Sequence, residues 1–251
     1  MTEKDKMLSG ELYDANNDEA LLVERAHAKE LCHDFNQLRP SDAAGQRAIL
    51  VELLGSVGEG ACVTAPFWCD YGYNIELGEY FFSNHNLVIL DGAKVTFGDN
   101  VFVAPNCGFY TAGHPVDAAL RRQGIEYARP IRVGYDVWIG AGVHVMPGVT
   151  IGDNVVIGGG SVVVRDIPSN CVAVGNPCRP IRYLEVGEKA SSACDCGAQR
   201  GRGRPCCSQV GVVHSPVTLG TLGCTNLGIV HSTEGTEFFW LHLIRLRVFP
   251  P

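Results

Sequence analysis

Between Val133 and Val163 an aliphatic residue recurs at every sixth position: Val133, Ile139, Val145, Ile151, Ile157 and Val163. Four residues after each stands a second small or apolar side chain, at Val137, Val143, Val149, Val155, Ser161 and Ile167. No α-helix puts residues six apart on one face, and an ordinary strand alternates without a glycine at a fixed phase. The hexad fits a chain that runs straight for one short strand, turns, and runs straight again. Three such sides close a triangular coil of about eighteen residues, and stacked coils bury the aliphatics inside. Upstream, Tyr71, Leu77, Ser83 and Ile89 keep the same spacing, with Ile75, Phe81, Leu87 and Ala93 four residues later. The phase then slips by two residues and resumes at Phe97, Val103 and Phe109. From 110 to 132 the hexad is absent, and Asp117, Arg121, Arg122, Glu126 and Arg129 fill the gap. A loop of this length inside so regular a coil points to function.

Ahead of the coil the pattern is helical. Asn16 with Glu19 suits a capping pair, after which Leu21, Ala28, Leu31, Phe35 and Leu38 recur at helical spacing as far as Arg39-Pro40. Ser41 is expected to cap a second helix with Ala44, Ala48, Val51 and Leu54 on one face, stopped at Gly55. Two helices beside a coil would cover its open end, where sheet edges and apolar rungs are otherwise bare. The expected organisation is a helical cap over 1–56, a coil over 57–186 with the inserted loop, and a tail over 187–251. The tail carries neither periodicity and is expected to be disordered. It holds Cys194, Cys196, Cys206, Cys207 and Cys224, with no zinc-ligand spacing.

Composition narrows the chemistry. A hydrophobic content of 46% with no apolar run long enough to span a bilayer describes a soluble chain. The N-terminal Met1-Thr2-Glu3-Lys4-Asp5-Lys6 lacks the apolar stretch of a secretion signal, so the expectation is cytoplasmic, with no membrane partner. The net charge of −7 argues against a nucleic-acid surface, which needs clustered Lys and Arg. The tail has six basic and four acidic residues, leaving −9 on residues 1–186. Cys32, Cys62, Cys69, Cys107, Cys171 and Cys178 show no paired spacing and read as small apolar residues.

The hexads combine with local strings: Leu12-Tyr13-Asp14, Cys69-Asp70-Tyr71-Gly72-Tyr73-Asn74-Ile75, Asn84-His85-Asn86, Thr111-Ala112-Gly113-His114-Pro115, Val137-Trp138-Ile139-Gly140 and Asn176-Pro177-Cys178-Arg179. In this order the chain resembles the maltose and galactoside O-acetyltransferases over residues 8–184. The Cys69–Ile75 string is nearer the maltose branch. The resemblance implies a left-handed parallel β-helix, acetyl-CoA as donor, a sugar hydroxyl as acceptor, no metal, and a homotrimer with sites between subunits. The left hand is itself an exception to the usual crossover rule.

Acetyl transfer to an alcohol needs a base, and imidazole suits that task near neutral pH. By the resemblance the base falls on His114, and Asn84 falls on the position that contacts acceptor and transition state. Asp14, Asp70 and Asp91 correspond to positions near the acceptor sugar. Gly92 stands where the galactoside enzymes carry a second acid, which points away from a galactoside acceptor. Ala141, Gly159 and Val164 match positions along the coenzyme's extended arm, and Arg165, Arg179 and Arg182 offer charge for its phosphates. Trp138 either lines the pantetheine channel or packs between subunits. Two other classes stay open on sequence: a zinc hydratase of the γ-carbonic-anhydrase type using His85, His114 and His144, and a non-catalytic repeat scaffold.

Overall fold

The structure is a computed structural model that describes residues 1–185; the expected disorder of 187–251 lies outside the described residues. The repeat folds as a mainly β, parallel β-helix with three faces. The first face stacks Ser56–Val57, Ile75–Leu77, Val95–Phe97, Ile131–Val133 and Thr150–Ile151. The second stacks Cys62–Val63, Phe82–Ser83, Phe102–Val103, Trp138–Ile139, Val155–Ile157 and Cys171–Val174. The third stacks Phe67–Cys69, Leu87–Leu90, Gly108–Tyr110, His144–Val145 and Val162–Val163.

Register explains the hexad. Val133 lies opposite Ile151, Ile139 opposite Ile157 and Val145 opposite Val163, so each aliphatic sits on its counterpart one coil away. All six are buried. Lower in the coil the rungs become aromatic: Phe97 stands between Phe81 and Phe109, with ring centroids 4.9 Å away on both sides. Corners need left-handed backbone, which Asn, Asp and Gly adopt most readily. Tyr80, Asn100, Asp136, Asn154 and Asn170 take positive φ at one corner, and Asn86, Asn106, Gly142 and Gly160 at the next.

The phase slip takes a different form from the one the spacing predicts. Cys69, not Tyr71, lies opposite Ile89, and Ile89 lies opposite Phe109. Tyr71 therefore belongs to a short insertion after Cys69, and an equal insertion at Asp91 follows Ile89. The long loop leaves the coil just past Phe109. All three departures stack at one corner, between the third face and the first.

Three helices precede the coil, the first packing against the inserted loop and the other two against the first coil. The first, α1 (Glu3–Ser9), is closed by a capping box between Thr2 and Asp5; being short, with only Met7 buried, it escapes a periodicity search. The second, α2 (Glu19–Gln37), buries Leu21, Ala28, Cys32 and Phe35, but its cap is Asp18, whose carboxylate accepts from the Leu21 N–H. Asn16 instead donates through Nδ2 to the Gly124 carbonyl at 3.1 Å. The third, α3 (Ala43–Leu53), is capped by Asp42 rather than Ser41. Its buried residues are Leu50 and Leu53, with Leu54 following, whereas Ala44, Ala48 and Val51 are exposed. The first coil offers its apolar end to that side, and burial there outweighs the small-residue stripe. At the far end Arg179–Tyr183 turns back antiparallel on Cys171–Val174 and covers the last edge. No helix among the described residues is long and apolar enough to cross a membrane.

Candidate active site

The loop is an ordered structure of its own. Thr111 opens it fully buried, its hydroxyl donating to the Leu90 carbonyl at 2.7 Å and accepting from the Ala93 N–H at 2.9 Å. Ala112–Gly113 pairs antiparallel with Tyr127-Ala128, and Tyr13–Asp14 pairs with Ile125-Glu126 on the other side. A fourth helix, α4 (Ala118–Arg122), is capped by Asp117. Arg121 ties the loop by donating to the carbonyls of Pro115 and Val116.

His114 follows the short strand. Its Nδ1 lies 3.0 Å from the Ile125 carbonyl oxygen. A carbonyl can only accept, so in the neutral ring Nδ1 carries the proton and Nε2 keeps the lone pair. The side chain is 47% exposed, and the Glu126 carboxylate sits 3.9 Å from Nε2. Glu126 is itself held by the buried Tyr13, whose hydroxyl donates to Oε2 at 3.0 Å. A base with a fixed tautomer facing an open space, beside a carboxylate, can take a proton from a hydroxyl and hold the resulting charge. Sequence reasoning missed Glu126 and Tyr13 as site residues; Glu126 was one charge among several in the loop, and Tyr13 was part of a local string.

The three aspartates lie on the same corner in distinct roles. Asp14 accepts from the Asn16 and Asn17 N–H groups and from Asn17 Nδ2, and these bonds, the Asn17 side chain first, hold its carboxyl below the usual range. Asp70 is half-buried, and burial raises its carboxyl while Arg25 and Lys29 pull it back. Asp91 is fully buried, with Oδ1 accepting from the N–H groups of Asp70 at 3.0 Å and Tyr71 at 2.8 Å. Its Oδ2 has no partner, and burial pushes its carboxyl up to about 6. Asp91 thus braces the corner that presents Asp70, and offers no exposed oxygen to a sugar.

A second group assembles at another corner, between the second face and the third. The N–H groups of Asn84, Ala104, Gly140 and Gly158 donate in turn to the Val103, Ile139, Ile157 and Ala173 carbonyls, so these residues climb one edge. Asn84 Oδ1 accepts from the His85 N–H at 2.8 Å, which leaves Nδ2 as the donor of the amide. Ala141 and Gly159 occupy the next position round the corner, where the Gly160 N–H donates to the Ala141 carbonyl at 2.8 Å. A Cβ on Gly140 would lie 2.5 Å from the Gly159 nitrogen, whereas one on Gly160 would meet nothing within 4 Å. The corner is therefore tight within and open without, a shape that accepts an extended, amide-rich chain. Arg179 pairs with Val174 beside this edge, and Arg182 pairs with Val172 two residues back along the same strand. Val164 and Arg165 leave the third face at its other end, on the His114 side.

Asn84 and His114 are thus not brought together within one chain. A full width of the third face, about 10–15 Å of sheet, separates their corners. Outward side chains differ from face to face. The first face presents Ser56, Glu76, Thr96, Arg132 and Thr150, while the second presents Cys62, Phe82, Phe102, Trp138, Val156 and Val172 in one column. Trp138 is 56% exposed and Phe102 49%, and with Tyr80, Phe82 and Asn84 they line a shallow groove. Within one chain the histidines of the hydratase reading do not converge. His85 Nδ1 meets the Ala65 carbonyl, His144 Nδ1 meets the Tyr110 hydroxyl at 3.1 Å, and no metal-holding group exists among the described residues.

Comparison with known proteins adds to this geometry. Residues 6–58 match the maltose acetyltransferase hexapeptide capping motif, and residues 130–165 match the bacterial transferase hexapeptide of six repeats. A Saccharomyces cerevisiae protein named a putative acetyltransferase is 54% identical over 75% of this chain and 95% of its own length. The crystal structure of a maltose O-acetyltransferase from Clostridium difficile 630 is 55% identical, with a TM-score of 0.72 over 74% of this chain and 98% of that one. A galactoside acetyltransferase in complex with coenzyme A is 42% identical, with a TM-score of 0.74 over 78% of this chain and 97% of that one.

Proposed function

From its place in the maltose and galactoside O-acetyltransferase family of hexapeptide-repeat enzymes, to which this chain belongs, we propose that it transfers acetyl from acetyl-CoA to a hydroxyl of maltose, glucose or a related glycoside. His114 Nε2 takes the hydroxyl proton as the sugar oxygen attacks the thioester carbon. The carbon–sulfur bond breaks, and the imidazolium returns the proton to the departing thiolate. Glu126, 3.9 Å from Nε2, stabilises the imidazolium between those two transfers. The Asn84 amide supplies a donor for the oxyanion that develops on the carbonyl oxygen. Asp70 and Asp14 offer acceptors to sugar hydroxyls, with Asp91 holding Asp70 in place. Acetyl-CoA supplies the activated acyl group; the open corner of Ala141 and Gly159 takes its arm, Arg179 and Arg182 beside that corner face its phosphates, and Val164 and Arg165, on the opposite corner, reach the coenzyme from a neighbouring copy. The relative with coenzyme A bound supports the donor.

One observation carries the assembly: His114 and Asn84 occupy different corners of the same chain. A cyclic homotrimer, in which the apolar second face of one copy meets the His114 corner of the next, completes the site three times over. Exposed Phe102 and Trp138 in one column favour that use of the face, with Trp138 packing between copies. The test is an acceptor panel with acetyl-CoA, read as thiol release and as acetylated product. Acceptor-dependent release from a maltose-like sugar, lost in His114→Ala, is the expected result. Absence of release with every sugar on the panel overturns the reading.

A further inference from the structure

Cys32 and Cys69 stand 37 residues apart in sequence and touch in the fold, Sγ to Sγ 3.6 Å. Both are buried and neither takes part in the acetyl transfer derived above. Cys32 lies on α2, one turn before Phe35 and Asn36, which dock that helix onto the coil. Asn36 exchanges two hydrogen bonds with the Phe67 backbone, at 2.9 and 2.8 Å, and Phe35 meets the Phe67 ring edge-on. Cys69 ends the same strand, directly before the Asp70 and Tyr71 N–H groups that grip Asp91. The thiols therefore meet where the cap seats on the corner that carries the acceptor-side aspartates.

We propose that Cys32 and Cys69 form a redox clasp: a reversible disulfide that locks the helical cap onto the first coil. Bond formation needs the sulfurs to close from 3.6 Å to about 2.05 Å, a side-chain movement within one buried contact. Either sulfur can donate to the other, but the Cys69 N–H also points at Cys32 and favours its thiolate, which makes Cys32 the attacking sulfur. The co-reactant is a small-molecule disulfide such as oxidised glutathione. The Cys32 thiolate displaces one thiol of that disulfide to give a mixed disulfide. Cys69, losing its proton, then attacks Cys32 sulfur and releases the second thiol, so two protein thiols are oxidised and one disulfide is reduced to two thiols. Because both sulfurs are buried, exchange proceeds when α2 lifts from the Phe67–Cys69 edge, and the disulfide then holds that motion shut.

The experiment uses the intact chain treated with oxidised glutathione, then alkylated and mapped by peptide mass spectrometry, with thermal melting measured on the same samples. The clasp predicts a Cys32–Cys69 linked peptide, removed by dithiothreitol, and an apparent melting temperature raised by about 5 to 10 °C. Cys32→Ser and Cys69→Ser, each measured against its own untreated form, lose the rise. If either variant fails to fold, the peptide map and melt of the unaltered chain decide alone. A Cys32–Cys69 pair that stays reduced under oxidised glutathione, or a linked pair with unchanged melting, overturns the proposal.

Discussion

Replacing Asp91 by Asn tests how the acceptor-side corner is built. The wild-type carboxylate is fully buried, one oxygen held by two backbone N–H groups and the other without a partner. Its carboxyl is raised from 3.8 to about 6 by burial, against the two hydrogen bonds that favour the charged form. A raised folded value means the native state holds its proton more tightly than the unfolded chain does. The stabilisation is fully present below about pH 4 and is lost as pH rises through about 6. The shift of about 2 units corresponds to roughly 3 kcal/mol at neutral pH. Asn keeps the accepting oxygen and carries no charge, so it removes the pH-dependent cost; its amide, placed where Oδ2 stood, costs about 1–3 kcal/mol at every pH. The stability of Asp91→Asn relative to wild type should therefore climb by roughly 3 kcal/mol between about pH 4 and pH 8. Guanidinium unfolding of both proteins across that range, at one protein concentration, measures the difference. A difference that stays flat with pH refutes the account of Asp91 as a desolvated carboxylate bracing the corner.

Other perturbations separate the parts. His114→Ala should cut turnover by about 10²- to 10⁴-fold while the melting temperature stays near wild type, measured by thiol release and calorimetry. Gly140→Ala forces a Cβ to 2.5 Å from the Gly159 nitrogen, so the coenzyme corner must spread; stability should fall by about 1–3 kcal/mol and KM for acetyl-CoA should rise more than KM for the sugar. Phe97→Ala empties the middle of the Phe81–Phe97–Phe109 stack and should cost about 3–5 kcal/mol in denaturant unfolding.

The wall of the coil is legible in the sequence because each rung is a local hexad and every coil repeats it: Val133 through Val163 need no long-range knowledge to be placed inside. The corners are legible in part. The two-residue slip after Ile89 shows as a break in phase, but the equal slip after Cys69 is hidden because Tyr71 happens to keep a six-residue spacing to Leu77. Helix caps were displaced to Asp18 and Asp42 because neighbouring Asn, Ser and Asp residues compete for the same role and only the local backbone decides. The buried face of α3 depends on which side meets the first coil, a fact about packing that a stripe of alanines does not contain. The break after Phe109 announces the loop, and within it only the resemblance singles out His114. Its Ile125 carbonyl and Glu126 partners come from the far strand of the loop, and the Cys32–Cys69 contact joins elements whose distance in sequence conceals it.

The central claim is that one chain supplies the base and a neighbouring copy supplies Asn84. Co-expression of His114→Ala with Asn84→Ala tests it most directly, since each variant alone lacks one half of every site. Random cyclic trimers of the two restore an intact site at about a quarter of the interfaces, so the mixture should recover up to about a quarter of wild-type turnover. A mixture no more active than either variant alone, with mixed trimers shown by mass spectrometry, contradicts the account.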